Sequence, residues 1–86
     1  MADTALYGAT WCSDTKESRR FLDNRRVPYD WVDVDLDPEG LRFVKQVSNG
    51  RKVIPVLVFK DGEVLVEPSK SELTRWFGAI ESGPDL

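Results

Sequence analysis

The chain has 86 residues, which suffices for one domain with one thin core and leaves no room for a second. Hydrophobic residues make up 41% and charged residues 31%, the balance of a folded soluble domain rather than a disordered segment. The formal net charge of −3 weighs against nucleic acid as the main partner, because phosphate binding calls for clustered Lys and Arg.

Along the chain, segment types alternate. Ala5-Leu6-Tyr7 is a short apolar run ended by Gly8 and predicts a first strand. From Ser13 to about Asn24 the composition turns polar, with Thr15, Ser18, Phe21 and Leu22 on one helical face. This predicts a helix that starts close to Ser13 or Asp14. Trp31 to Asp35 reads as a second strand. Asp37-Pro38-Glu39 is a helix-start signal, with a capping Asp and Pro at the first helical position; Leu41, Val44 and Val47 follow at spacings of three. Asn49 and Gly50 can take the left-handed conformation that ends that helix.

Val56 to Phe59 is an apolar third strand, Asp61-Gly62 a tight hairpin turn, and Val64 to Val66 the fourth strand. Ser69 through Ile80 predicts a last helix with an apolar stripe of Leu73, Trp76, Phe77 and Ile80, and Ser69 with Glu72 has capping-box spacing. The order is βαβαββα. The fold class expected is α/β, a mixed four-stranded sheet flanked by three helices, with strands one and two parallel and strands three and four an antiparallel hairpin. The whole of 1–86 is expected to be one monomeric domain, with 82–86 a frayed tail.

Several functions are excluded or disfavoured by residue counts. No His is present, so imidazole bases, ligands and pH switches are absent. A single Cys cannot form an internal disulfide or a zinc site built from several thiolates, so no metal is expected. No apolar run approaches the roughly 18 residues of a membrane span, and Met1 to Thr4 carries no basic segment followed by an apolar stretch. The chain is therefore expected in the cytoplasm, with no membrane partner.

Chemistry is concentrated between the first strand and the first helix. Cys12 lies where unpaired backbone amides and the positive end of the helix dipole converge, and both favour a thiolate over a thiol. Ser13 and Thr15 offer hydroxyl donors to that sulfur, Lys16 and Arg19 add positive charge, and Asp14 opposes them. Cys12 is the candidate nucleophile. Trp11 beside it is a candidate for substrate contact, because a solvent-facing Trp implies a partner. The bland alternative is a buried structural Cys. Further along, Val53-Ile54-Pro55 precedes the third strand, where Pro is allowed because it donates no ladder bond. Arg51 and Lys52 are either a solvated pair or a site for a substrate carboxylate. The acids Asp30, Asp33, Asp35, Asp37 and Glu39 read as the solvent edge of strand two.

Together, Trp11-Cys12-Ser13-Asp14-Thr15 after a short strand, Val53-Ile54-Pro55 before an apolar strand, the Asp-Gly hairpin and the last amphipathic helix resemble the glutaredoxin branch of the thioredoxin superfamily, over about Ala5 to Ile80. The resemblance implies a thioredoxin fold with Pro55 cis and set against Cys12, and an Ile54 backbone that pairs strand-like with a thiol substrate. It also implies a thiol–disulfide oxidoreductase of redox homeostasis, with a low-molecular-weight thiol (glutathione or an analogue) as co-substrate, no tightly bound cofactor, and protein mixed disulfides as partners.

Three departures qualify this. Thr15 replaces the family's second Cys, which makes this a monothiol variant. Pro68-Ser69 replaces the paired glycines of the glutathione site, although Lys70 and Ser71 can hold a carboxylate through amides and charge. The Cys-Gly-Phe-Ser signature of cluster-carrying monothiol glutaredoxins is absent. Two other readings stay open: a non-catalytic protein-binding module, and a two-Cys redoxin whose second Cys has become Thr15.

Overall fold

A computed structural model describes residues 2–78. Its elements run β1 (Thr4–Gly8), α1 (Ser13–Asn24), β2 (Asp30–Asp33), α2 (Pro38–Val47), β3 (Val56–Phe59), β4 (Val64–Val66) and α3 (Lys70–Phe77). The four strands form one sheet in the order β2-β1-β3-β4. β1 pairs parallel with β2, and β3 pairs antiparallel with both β1 and β4. This is the expected mixed α/β sheet.

The sheet separates two apolar clusters, and strand alternation decides which residue joins which. Leu6 and Leu57 pack with Phe21 and Leu22 of α1 and Leu73 of α3. Val56 packs with Val44 of α2, together with Ala9, Val34 and Ile54, and Tyr7 and Val58 lean on the same cluster. α1 therefore shares one face of the sheet with α3, and α2 covers the other. The face of α1 expected to be apolar, Thr15, Ser18, Phe21 and Leu22, is the buried face.

Local sequence explains the boundaries. Asp37 caps α2 by accepting from the amides of Glu39 and Gly40, with Pro38 as the first helical residue. Asn49 and Gly50, both at positive φ, turn the chain away after it. Ser69 and Glu72 complete a reciprocal capping box at α3. That helix ends at Phe77, before Gly78, and Ile80 lies outside the described residues.

Two expectations need correction. The second strand stops at Asp33 rather than Asp35. Val34 still donates to the Gly8 carbonyl (2.9 Å), but the Asp33 side chain then accepts from the Asp35 amide (2.9 Å) and the Asp33 carbonyl from Asp37 (2.9 Å), which curls the chain into a turn. The β3–β4 connection is longer than a two-residue turn. Phe59 pairs with Glu63 across Lys60-Asp61-Gly62, and Gly62 takes the left-handed conformation (φ 93°) that a three-residue loop requires.

Candidate active site

Cys12 is the N-cap residue of α1, extended at φ −80° and ψ 121°, and no side chain caps that helix. Its carbonyl accepts from the Lys16 amide (3.0 Å), and its own amide donates to Ala9 (3.2 Å), which fixes the turn. The amides of Ser13, Asp14 and Thr15 have no acceptor among the described residues, as the geometry of a helix start dictates. They follow a half-buried, free Cys12, whose sulfur makes no capping hydrogen bond to them. On its inner side Cys12 leans on the cluster that contains Ile54.

Ile54, in the cluster that Cys12 leans on, is followed by Pro55. The Ile54–Pro55 peptide is cis, and both side chains are buried. The Pro55 carbonyl accepts from Glu67 (2.7 Å), whereas the Ile54 N–H and C=O have no backbone partner among the described residues. An unpaired donor and acceptor at the head of a strand form a short docking edge.

Thr15 is fully buried, and its hydroxyl accepts from the Ala9 amide (3.5 Å). No hydrogen bond joins it to the Cys12 sulfur. Its side chain fills the space over Gly8, where an added Cβ would meet Thr15 Cγ2 at 2.5 Å and Oγ1 at 2.6 Å. Thr15 thus seats the start of α1 on the end of β1. Ser13 is exposed on the first turn and makes no side-chain hydrogen bond.

Trp11 and Lys52 meet over a third residue, Asp35. The indole N–H donates to Asp35 Oδ2 (2.7 Å), Lys52 Nζ lies 3.1 Å from Asp35 Oδ1, and the ammonium stands 5.6 Å from the indole centroid. Trp11 is 63% exposed, so this trio fixes a ring that packing alone would leave loose. The Trp11 hydrogen bond first, and Lys52 second, hold the Asp35 carboxyl below its ordinary value of 3.8. A carboxylate lowered in this way supports the folded arrangement above pH 3.8, and that support is lost as pH falls through the lower, folded value. The Trp11 indole N–H resonance, followed by NMR, is expected to shift with a midpoint below 3.8. A midpoint at or above that value would rule out the anchoring role.

Lys70 and Ser71 stand apart from this group. Lys70 lines a cleft of about 510 Å³ between α1 and the start of α3, with Asp14, Ser18, Phe21, Glu67 and Ser69 among its walls. Ser71 is exposed on the first turn of α3. Asp14, one residue into α1, brings the near end of this cleft close to Cys12 in sequence. The bond from Glu67 to Pro55 ties its far wall to the Ile54-Pro55 segment.

Two site residues escape sequence reasoning. Asp35 is separated from Trp11 by 24 positions, and no local pattern links them. Glu67 is held at φ 50° ahead of Pro68, a position biased toward extended backbone, so sequence predicts the opposite conformation. Among the described residues no group of acids and thiols could hold a metal, and no helix is long and apolar enough to cross a membrane.

Mycoredoxin 1 of Corynebacterium glutamicum is 30% identical over 80 residues, covering 93% of this chain and 99% of its own. The crystal structure of a glutaredoxin from Archaeoglobus fulgidus superposes with a TM-score of 0.68 at 23% identity, over 87% of this chain and 85% of that one. A thioredoxin-like protein, solved as a point mutant, gives 0.71 at 23% identity over 87% and 94%. These two solved structures establish the thioredoxin fold. The Glutaredoxin family model matches residues 5–65, from the first strand into the fourth and through both Cys12 and Pro55, and the chain therefore belongs to the glutaredoxin family.

Proposed function

We propose that this glutaredoxin-like redox protein works by a monothiol route on mixed disulfides between a protein and a low-molecular-weight thiol. The observation that carries the reading is the lone, half-exposed Cys12 sulfur at the N-cap of α1, beside three unpaired amides. A helix N-terminus is an end that favours negative charge, and the attacking species in this route is a thiolate. The Cys12 thiolate attacks the small thiol's sulfur, and the original S–S bond breaks. The protein sulfur leaves as a thiolate and takes a proton from water. Cys12 now carries the small thiol as a mixed disulfide. A second small thiol, as its thiolate, attacks that adduct; the symmetric small disulfide departs and Cys12 is restored. No second Cys is needed. Thr15 stands where a resolving thiol would be, so a two-Cys cycle within one chain has no chemistry available.

In this reading Ile54 offers its free N–H and C=O to the backbone of the incoming chain, Trp11 covers the sulfurs, and Lys70 with the open amides of α3 attracts the small thiol's carboxylate. The relative named Mycoredoxin 1 supports the redox role on which this reading builds. Mass spectrometry after incubation with the disulfides of glutathione, mycothiol and bacillithiol tests the proposal. One adduct per chain, on Cys12, is expected with at least one of the three. No adduct with any of them would overturn it.

A further inference from the structure

Leu36 is 81% exposed, more than any other large apolar side chain among the described residues. It does not sit on a loose loop. Its amide donates to the Asp33 carbonyl (3.0 Å), and the flanking Asp37 amide bonds the same oxygen. Its neighbour Asp35 holds the indole of Trp11, itself 63% exposed and adjacent to Cys12. Leu36 thus follows, on a hydrogen-bonded turn, the carboxylate that holds Trp11, the residue before the thiol. The surroundings are acidic. Asp33, Asp35, Asp37 and Glu39 all belong to this turn and the helix start after it, and Lys52, on Asp35, is their only ion-pair partner among the described residues. Asp33 and Asp37 each engage backbone amides through Oδ1 alone, so each retains a second oxygen with no hydrogen bond among the described residues.

We propose that Trp11 and Leu36 form a docking surface for the protein half of the mixed disulfide, and that it selects segments whose reactive Cys is flanked by an apolar residue and by Lys or Arg. The inference rests on the monothiol reading for its orientation. An attack on the small thiol's sulfur leaves the protein sulfur in line behind it, so residues flanking the substrate Cys lie over the neighbours of Cys12. An apolar side chain there covers Leu36 and Trp11. Lys or Arg beside it meets the acidic collar, which steers encounter and repels acidic segments.

The test uses two peptides, one with a Cys flanked by Leu and two Lys, the other with Glu in place of each Lys. Each is presented as a mixed disulfide with the small thiol that forms the Cys12 adduct. At low salt the Lys peptide is expected to have a kcat/KM about tenfold above the Glu peptide, with the advantage shrinking at high ionic strength. Leu36→Ser is expected to raise the KM for the Lys peptide about tenfold, the size of losing part of one buried Leu contact. Its rate with the symmetric small disulfide should not change. Equal turnover of the two peptides, or an unaltered KM in Leu36→Ser, would overturn the proposal.

A separate arm reads the surface without chemistry. The Lys peptide with Ser in place of its Cys is added to Cys12→Ser protein, and NMR shifts are expected at Leu36 and the Trp11 indole. Their absence would remove the docking surface even if exchange occurs. Shifts here, together with no exchange by the parent protein that keeps Cys12, would retire the monothiol reading and leave the surface standing.

Discussion

Cys12→Ser is expected to abolish turnover of a mixed disulfide while leaving the fold intact. A Ser hydroxyl cannot form the S–S bond on which every step depends, and no other thiol is present to substitute. The structural cost is small for a specific reason. Cys12 occupies an N-cap position with no side-chain cap, and Ser is among the preferred residues there. Its oxygen can accept from one of the open first-turn amides, so thermal stability should hold or rise by up to about 1 kcal/mol. Turnover and a thermal melt on the same preparation check both halves. Exchange above the uncatalysed background in the variant would dismiss Cys12 as the nucleophile.

Gly8→Ala should have the largest effect outside the thiol. The added methyl would lie 2.5 Å from Thr15 Cγ2 and 3.1 Å from its Cβ. Thr15 is fully buried and β-branched, so it cannot swing clear. Either α1 lifts from the end of β1 or β1 bends. Overpacking of this kind costs about 1–3 kcal/mol. For a domain of this size that lowers Tm by roughly 4–8 °C per kcal/mol. Because the lifted end carries Cys12, the exchange rate should fall as well. The double variant Gly8→Ala, Thr15→Ala returns the space and should be more stable than the sum of the two single effects predicts. A Gly8→Ala protein within about 0.5 kcal/mol of the parent would show that Thr15 does not clamp the helix.

Much of this architecture could be read from local pattern. α1 begins and ends where its polar-to-apolar periodicity does, and its buried face was legible because Thr15, Ser18, Phe21 and Leu22 recur at helical spacing. The caps of α2 and α3 were legible because Asp37-Pro38 and Ser69 with Glu72 act over three residues. Strand two was read too long for a physical reason. Alternation of Val32, Val34 and the aspartates continues past the last sheet pair, and Val34 is buried inside a turn rather than in a strand. The candidate site divides the same way. Cys12 and its neighbours share one loop, and the thiol's position followed from the loop's place before a helix. The Asp35 anchor depends on the register of β1 with β2, and the tie from Glu67 to Pro55 on the path of β4; neither is encoded within a few residues.

The sheet order has a consequence for behaviour at high concentration. Its outer strands, β2 and β4, are only four and three residues long, and β2 both begins and ends with aspartate. Two copies laid border to border along β2 would bring carboxylates into opposition across a short ladder, with little hydrogen bonding to offset the repulsion. The aspartates at both ends of β2 thus discourage lateral stacking along that border into larger aggregates.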